Sequence, residues 1–180
     1  VEKNKKLFKG NELKEKVLGV VGLGAIGSAV ARAGLDMGMT VMGYDPALSV
    51  EAAWRVPSEV ERQNSMVDLF ASADFISLHV PLIEETRGMI DAAALKNAKP
   101  GLVVLNFARE PIVDNKAMID SIQNGMVRKY VSDFPVAESV GASNTTSMCE
   151  HSCRSRASFA TLSLPVPRRW PNFASSTGVS

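Results

Sequence analysis

The sequence predicts an α/β fold built on a doubly wound, mostly parallel sheet, and three observations support this prediction. Short continuous apolar runs recur along the chain, as strands that are buried on both faces require. Segments of helical length separate these runs. The first run, Val17 to Val21, leads directly into a glycine-rich loop. Strands that alternate with helices indicate an open sheet, whose ligands gather at the carboxyl ends of the strands.

The stretch from Val17 to Asp45 forms the first unit of this sheet. It consists of a strand over Val17 to Val21, the glycine motif GLGAIG at 22–27, a helix over Ser28 to Met37 and a strand over Thr40 to Tyr44. Asp45 follows, eighteen positions after the last glycine. This order is the βαβ fingerprint of a dinucleotide site, and it makes the predicted fold Rossmann-type.

Each part of the motif has a physical role in binding a dinucleotide. Gly22 permits the tight turn, Gly24 lets the backbone approach a diphosphate, and Gly27 lets the helix lie close to the strand. The free N–H groups at the start of the helix would then face the diphosphate. Asp45 would accept hydrogen bonds from the hydroxyls of the adenosine ribose and would repel a 2′-phosphate. A plain set of glycine turns is the alternative, but the flanking strand, helix and acid favour NAD as the cofactor.

The later elements repeat the alternation of strands and helices. The patterns predict helices over 48–55, 66–70, 91–98 and 114–124, and strands over 75–79, 102–105 and 127–131. Asp91 is the expected N-cap of its helix, and the strand over 127–131 is expected to be the last. The residues that follow the strands are expected to face one crevice with the glycine loop and Asp45, and they are His79, Val80, Pro81, Asn106, Phe107, Ala108, Arg109 and Asp133.

Composition and charge narrow the function classes. The 180 residues are 46% hydrophobic, enough for one domain with a core. Twenty basic and nineteen acidic residues leave a net charge of +1, so we expect neither a nucleic-acid nor a membrane-surface partner. No apolar run approaches the ~20 residues of a membrane span. The start VEKNKKLFKG has no apolar signal core and the two cysteines suggest no disulfide framework, so we expect a cytoplasmic location.

We expect three regions along the chain. Residues 1–16 form a charged lead-in, and residues 17–138 form the dinucleotide-binding domain. Residues 139–180 contain ten serines and four arginines but no lysine, whereas all the lysines precede them. This shift in composition predicts a disordered or altered-frame terminus rather than a part of the core.

Arg109 is the first candidate for a catalytic residue. It comes four residues after a predicted buried strand, at the mouth of the expected crevice. A guanidinium group offers a planar fork of donors that can hold a carboxylate and polarise the neighbouring carbonyl. A solvated surface position is the alternative for Arg109, and Glu138 alone would be interpreted as a solvated loop residue.

Five motifs, in order, resemble the NAD-binding domain of the D-isomer-specific 2-hydroxyacid dehydrogenases. They lie between residues 7 and 138, about three quarters of the chain. Within the family, they are most similar to the members that oxidise 3-phospho-D-glycerate. The matching stretches are NELKEKVLGVVGLGAIGSAVA, VMGYDP, ADFISLHVPLIEETRGMI, LVVLNFAREPIVD and YVSDFP.

The resemblance implies a role for each candidate residue. Arg109 would orient the substrate, and Glu138 would pair with a catalytic histidine, raise its pKa and let it take the hydroxyl proton as hydride leaves for NAD. It also implies a small 2-hydroxy acid substrate and a homo-oligomer. The residues expected against NAD are Ala25 and Ile26 at the pyrophosphate, Asp45 at the ribose, Val80 and Pro81 on the adenine side, and Phe107, Ala108 and Asp133 at the nicotinamide half, beside Arg109.

The sequence departs from the family pattern at two places. No segment like the family's Pro-His-x-Gly-Ala-Ser-Thr follows Glu138. His79 belongs to the cofactor-side HVP motif, and the neighbours of His151, the remaining candidate for the proton acceptor, match nothing. Cys149, His151 and Cys153 form no standard zinc pattern, so no metal site is expected. The family builds its substrate domain from both ends of the chain, and we expect that domain to be largely missing. A non-catalytic NAD-binding module and a dehydrogenase of another 2-hydroxy acid stay open as alternatives.

Overall fold

The fold is one parallel sheet with helices on both faces. The structure is a computed structural model that describes residues 12–134 and the backbone of residues 145–147. Its strands are β1 (Val17–Val21), β2 (Thr40–Tyr44), β3 (Glu61–Arg62), β4 (Phe75–Leu78), β5 (Leu102–Asn106), β6 (Val127–Ser132) and β7 (Thr145–Ser147). Their order across the sheet is β3-β2-β1-β4-β5-β6-β7, and every neighbouring pair is parallel. The predicted α/β, Rossmann-type fold is therefore confirmed.

Short helices connect the strands. The α-helices are α1 (Ala25–Asp36), α2 (Val50–Ala53), α3 (Met66–Ser72), α4 (Ala92–Lys96) and α5 (Asn115–Gln123), and 3₁₀ helices span Glu84–Thr86 and Glu110–Ile112. Asp91 caps α4 as predicted, because its carboxylate accepts a hydrogen bond from the N–H of Ala94. Among the described residues, no helix is long and apolar enough to cross a lipid bilayer.

Alternate residues of β1 supply the two cores of the domain. Leu18 and Val20 pack with Ala31 of α1 and Val41 of β2 on one face of the sheet. Val21 belongs to the larger core on the other face, which α3, α4 and α5 cover. Because both faces are buried, β1 has to be apolar along its whole length, and this is why a continuous apolar run predicted it correctly.

Most elements differ from the sequence-based bounds by up to two residues at an end, and three features differ by more than that. Helix α1 begins at Ala25, three residues before the predicted start, because the turn is completed within Gly22 to Gly24. The two-residue strand β3 was missed, since both of its residues are exposed and carry no apolar pattern. The strand over 127–131 is not the last, because β7 pairs with β6 in parallel register from Thr145 to Ser147.

Asp74, just before β4, joins the strands at the amino-terminal edge of the sheet. One carboxylate oxygen accepts a hydrogen bond from the N–H of Val17 at 2.9 Å, and the other lies 2.8 Å from Nζ of Lys99. Burial acts to raise the pKa of Asp74, but the hydrogen bonds from Lys99 and Val17 outweigh burial and leave this pKa below its ordinary value. The pair stabilises the edge of the sheet that lies opposite the predicted crevice.

Candidate functional site

Two adjoining cavities lie at the carboxyl ends of β1, β2, β4 and β5. The first has a volume of about 590 Å³ and extends from the glycine loop to Asp45 and Met89. The second, of about 530 Å³, extends from Ala25 and Ile26 to Arg109. Gly24, His79, Val80 and Pro81 line both cavities, so the two form one continuous crevice. We call the first the adenosine cavity and the second the loop cavity.

The glycine loop has the backbone geometry that the sequence motif requires. Gly22 has a φ of +89°, and a Cβ there would lie 2.7 Å from the carbonyl oxygen of His79. At Gly27, a Cβ would overlap the carbonyl oxygen of Gly22. Nothing lies within 4 Å of the place that a Cβ would take at Gly24. Gly22 and Gly27 therefore make the turn and the close packing, whereas Gly24 faces open space in the crevice.

Helix α1 begins without a side-chain cap. Its N-cap is Gly24, and its first turn contains no acidic residue. The other four α-helices are each capped by a side chain that accepts a hydrogen bond from a first-turn N–H, from Ser49, Ser65, Asp91 and Asp114. The first-turn residues Ala25 and Ile26 line the loop cavity beside Gly24, which lines both cavities, and their N–H groups fit the negative charge of a diphosphate there.

Asp45 is held in place by two backbone amides. Its Oδ2 accepts a hydrogen bond of 2.8 Å from the N–H of Leu23 in the glycine loop, and its Oδ1 accepts one of 3.0 Å from the N–H of Ala47. Each carboxylate oxygen has a second lone pair that these bonds leave available. Asp45 lines the adenosine cavity, so the remaining acceptor capacity suits the two hydroxyls of a ribose.

His79 lies between the two cavities as a half-buried neutral imidazole. Its Nε2 is 2.8 Å from Oγ of Ser77, and its backbone N–H donates to the carbonyl oxygen of Val21. Burial lowers the pKa of His79 below its ordinary value. Because the ring is neutral near pH 7, it adds no positive charge to the crevice and acts there through hydrogen bonding and packing.

The loop after β5 carries Phe107, Ala108 and Arg109 into the loop cavity. Phe107 is 40% exposed, and Arg109 is also exposed. Nη1 of Arg109 donates a 2.7 Å hydrogen bond to the carbonyl oxygen of Ala108, which folds the guanidinium group back along its own loop. Four of the five guanidinium N–H groups are then available for an anion, because the group carries five donors. The loop can therefore present a fixed cation to a carboxylate.

The structure brings most of the predicted residues into the crevice. Those lining one or both cavities are Gly22, Gly24, Ala25, Ile26, Asp45, Val80, Pro81, Phe107, Ala108 and Arg109. Gly27 is buried beneath the loop, and Asp133, at the end of β6, lines neither cavity. Glu138, Cys149, His151 and Cys153 lie outside the described residues. Within the described part of the chain, no group of three or more metal-ligating side chains occurs.

Sequence reasoning missed the outer wall of the adenosine cavity. This wall includes Ile83, Glu85, Thr86 and Met89, which come from the segment between β4 and α4. The hydroxyl of Thr86 donates to the carbonyl oxygen of Pro81 at 2.6 Å and accepts from the N–H of Ile83 at 2.9 Å. A threonine shortly after a strand-ending proline is the signal that could have indicated this compact turn.

The fold and the crevice define a dinucleotide-binding domain of the NAD-linked oxidoreductases. Residues 2–153 match the family model described as D-isomer specific 2-hydroxyacid dehydrogenase, NAD binding domain. The chain therefore belongs to the D-isomer-specific 2-hydroxyacid dehydrogenase family and constitutes its NAD-binding domain. The recognition of this family and of NAD from the sequence motifs is confirmed.

Three similar proteins illustrate the relationship. The D-3-phosphoglycerate dehydrogenase of Mycobacterium tuberculosis H37Rv is 45% identical over 121 residues, which are 67% of this chain and 22% of that enzyme. The hydroxypyruvate reductase of Thermotoga maritima is 39% identical over 137 residues, 74% of this chain and 41% of the relative. An NAD-complexed D-isomer-specific 2-hydroxyacid dehydrogenase structure from Lactobacillus delbrueckii ssp. bulgaricus has a TM-score of 0.63 and 32% identity, and covers 76% of this chain and 40% of that one. The chain thus spans less than half the length of each.

Proposed function

We propose that this chain is the cofactor domain of a D-3-phosphoglycerate dehydrogenase. The reaction would transfer a hydride from C2 of 3-phospho-D-glycerate to NAD, with loss of the hydroxyl proton, and would give 3-phosphooxypyruvate and NADH. The observation that carries the proposal is the combination of an uncapped α1 with an exposed arginine at the other end of the same crevice. The 45% identity to the mycobacterial enzyme supports this choice of substrate.

We assign the adenosine cavity to the adenine and its ribose. Asp45 would accept hydrogen bonds from the ribose hydroxyls, while Val80 and Pro81 would pack against the adenine side. The N–H groups of Ala25 and Ile26 would donate to the pyrophosphate, where the positive end of the α1 dipole adds to the attraction. A phosphate on the 2′-oxygen would lie against the carboxylate of Asp45 and be repelled, which favours NAD over NADP.

We assign the loop cavity to the nicotinamide half and the substrate carboxylate. Phe107 and Ala108 would contact the nicotinamide half, and Asp133 would approach it from the end of β6. Arg109 would hold the substrate carboxylate and polarise the neighbouring carbonyl at C2. When bound, NAD supplies the hydride acceptor. Glu138 would orient a histidine base and raise its pKa so that the ring takes the hydroxyl proton. His79 is not assigned this role, because its ring is bonded to Ser77 and packed between the cofactor cavities.

The test measures NADH production with 3-phospho-D-glycerate and NAD, by absorbance, for this domain completed with the flanking segments of the mycobacterial relative, with Arg109 intact and as Arg109→Ala. Hydrogen bonds to charged groups contribute about 1.5–3 kcal/mol, so we expect kcat/KM to fall roughly 10- to 150-fold. Arg128→Ala is the matched control, because Arg128 is an exposed arginine on β6 that lines neither cavity. A chain that binds NAD by isothermal titration but oxidises no hydroxy acid would instead be a non-catalytic NAD-binding module.

The match to a hydroxypyruvate reductase supports a second candidate function, a dehydrogenase of another 2-hydroxy acid. The 39% identity to the Thermotoga protein extends over more of this chain than the mycobacterial match does. The same assay, run in reverse with NADH and either 3-phosphooxypyruvate or hydroxypyruvate, separates the two. A larger kcat/KM for hydroxypyruvate would overturn the phosphoglycerate proposal.

The wider organisation of the protein belongs to the same proposal. We propose that residues 17–138, together with β7 at Thr145–Ser147, form the cofactor domain, and that residues 1–16 form a charged lead-in to it. We also propose a cytoplasmic location, because the two cysteines suggest no disulfide framework, and a homo-oligomeric state, which the family resemblance implies. Cell fractionation and light scattering test these two points.

A further inference from the structure

A buried amide at the end of β5 organises the loop that carries Arg109. Asn106 is fully buried, and its side chain makes three hydrogen bonds. Its Oδ1 accepts from the N–H of Ala108 at 3.1 Å, and its Nδ2 donates to the carbonyl oxygen of Arg109 at 3.0 Å. Nδ2 also donates to the hydroxyl oxygen of Tyr130 at 3.2 Å. One side chain therefore binds backbone groups of two consecutive loop residues.

Tyr130 fixes this amide from the neighbouring strand. It lies in β6, where it pairs with Val104 of β5, and it is 2% exposed within the larger core. Burial raises the pKa of Tyr130, and the hydrogen bond from Asn106 only partly opposes this effect. The phenol therefore stays protonated and neutral at physiological pH. Tyr130 lines neither cavity, and its hydrogen bond to Asn106 connects it to the loop that does.

We propose that Asn106 and Tyr130 are positioning residues that hold the Phe107–Arg109 loop against the nicotinamide half of the cofactor. The inference rests on the assignment of the loop cavity made above. The side chains of Phe107 and Arg109 are exposed, so core packing does little to fix them, whereas the backbone beneath them is fixed by the amide of Asn106. Small displacements of positioning groups weaken binding and catalysis strongly, which makes a rigid anchor at this point effective.

The geometry also predicts which half of the ligand the anchor affects. Of the two cavities, the loop lines the loop cavity and not the adenosine cavity, whereas Asp45 and the segment from Ile83 to Met89 line the adenosine cavity and not the loop cavity. Loss of the Tyr130 hydroxyl should therefore weaken contacts to the nicotinamide half and leave contacts to the adenosine half unchanged. A residue that acted only through packing would not show this difference.

The experiment measures the Kd values of NAD and ADP by isothermal titration for the wild-type chain and for Tyr130→Phe, well below the melting temperature. Phenylalanine keeps the ring and removes the hydrogen-bond acceptor. We expect the Kd for NAD to rise about fivefold, equivalent to about 1 kcal/mol, and the Kd for ADP to stay unchanged. Asn106→Ala, which removes all three bonds, should give a larger rise for NAD if it folds.

Ser121→Ala serves as the control, because Ser121 is also a buried polar residue but lies in α5 and lines neither cavity. It should leave both Kd values unchanged. If Tyr130→Phe lowers the melting temperature but changes neither Kd, or weakens NAD and ADP equally, the positioning role is wrong. If the wild-type chain itself fails to bind NAD, the proposed function fails first and this inference fails with it.

Discussion

Asp45 and Asp74 occupy opposite edges of the same sheet, and each accepts a hydrogen bond from the backbone next to β1. Asp74 accepts from Val17 at the amino-terminal edge, and Asp45 accepts from Leu23 at the carboxyl-terminal edge. The two residues differ in the partner of the other carboxylate oxygen. That of Asp74 is paired with Lys99, whereas that of Asp45 accepts only from the N–H of Ala47 and makes no ion pair within the described part of the chain.

This difference separates a structural carboxylate, Asp74, from the carboxylate that we propose binds the ribose, Asp45. The charge of Asp74 is balanced by Lys99, so the pair closes the amino-terminal edge. The charge of Asp45 is held by amides alone in an open cavity, where it can still accept hydrogen bonds from a ligand. An aspartate with a lysine partner therefore stabilises one edge, while an aspartate without one keeps acceptor capacity for the recognition role that we propose for Asp45.

The largest expected effect concerns the glycine loop that Asp45 holds. Gly27→Ala forces a Cβ onto the carbonyl oxygen of Gly22, so the start of α1 has to move away from the turn at Gly22. We expect the free energy of unfolding to fall by about 3 kcal/mol, at the upper end of overpacking costs, and NAD binding to be lost. Urea unfolding and isothermal titration measure the two effects.

Gly24→Ala is the matched control for this substitution, because open space surrounds the position of its Cβ. Its unfolding free energy should stay within about 0.5 kcal/mol of the wild type. Equal destabilisation by the two alanines would contradict the packing role that the structure gives to Gly27.

A smaller effect distinguishes the two carboxylates directly. Asp45→Asn removes the charge and part of the acceptor capacity at the ribose, so we expect the Kd for NAD to rise roughly 10- to 150-fold. Asp74→Asn should leave this Kd within about twofold, since Asp74 lies at the far edge of the sheet. Titrations of both variants with NAD test the comparison, and a similar loss of affinity in both would refute it.

The smallest effect is the pH dependence that Asp74 contributes. Its pKa is lower in the folded chain than the ordinary value of 3.8, so the ionised form stabilises the fold. This contribution is complete above pH 3.8 and is lost as pH falls through the folded pKa. Because Lys99 is 44% exposed, we expect only about 0.5–1 kcal/mol.

This contribution is measured by urea unfolding of the wild type and of Asp74→Asn, at pH 7 and at about pH 3. The wild type should be more stable than Asp74→Asn at pH 7, and the difference in their free energies of unfolding should become smaller in acid. A gap that is the same at both pH values would mean that the carboxylate stabilises the edge by some means other than its charge.

The sequence was most informative where a residue's neighbours lie close along the chain or where both faces of a strand are buried. The bounds of β1 and β2 were predicted correctly from continuous apolar runs. Asp91 was recognised as a cap because its partner, Ala94, is three residues away. The start of α1 was placed too late, because glycine is a poor helix former, whereas Gly27 lies in the first turn, packed against the carbonyl group of Gly22.

The features that were missed depend on pairing between distant segments. Nothing within Glu61–Arg62 predicts a strand, because this segment is extended only where it pairs with the edge of β2. Asn106 was noted only as a residue after a strand, because its partner Tyr130 is 24 positions away and becomes its neighbour only through the register of β5 and β6. Long-range hydrogen bonds of this kind require the sheet order, which the sequence pattern does not contain.

The bare first turn of α1 makes the nucleotide a participant in folding as well as a ligand. A bound diphosphate would satisfy amide groups that serine or aspartate side chains satisfy in the other helices. Since NAD binds only the folded chain, saturation at a hundred times its Kd adds about 2.7 kcal/mol to stability. The cellular supply of NAD would then help to set how long each copy of this domain survives proteolysis.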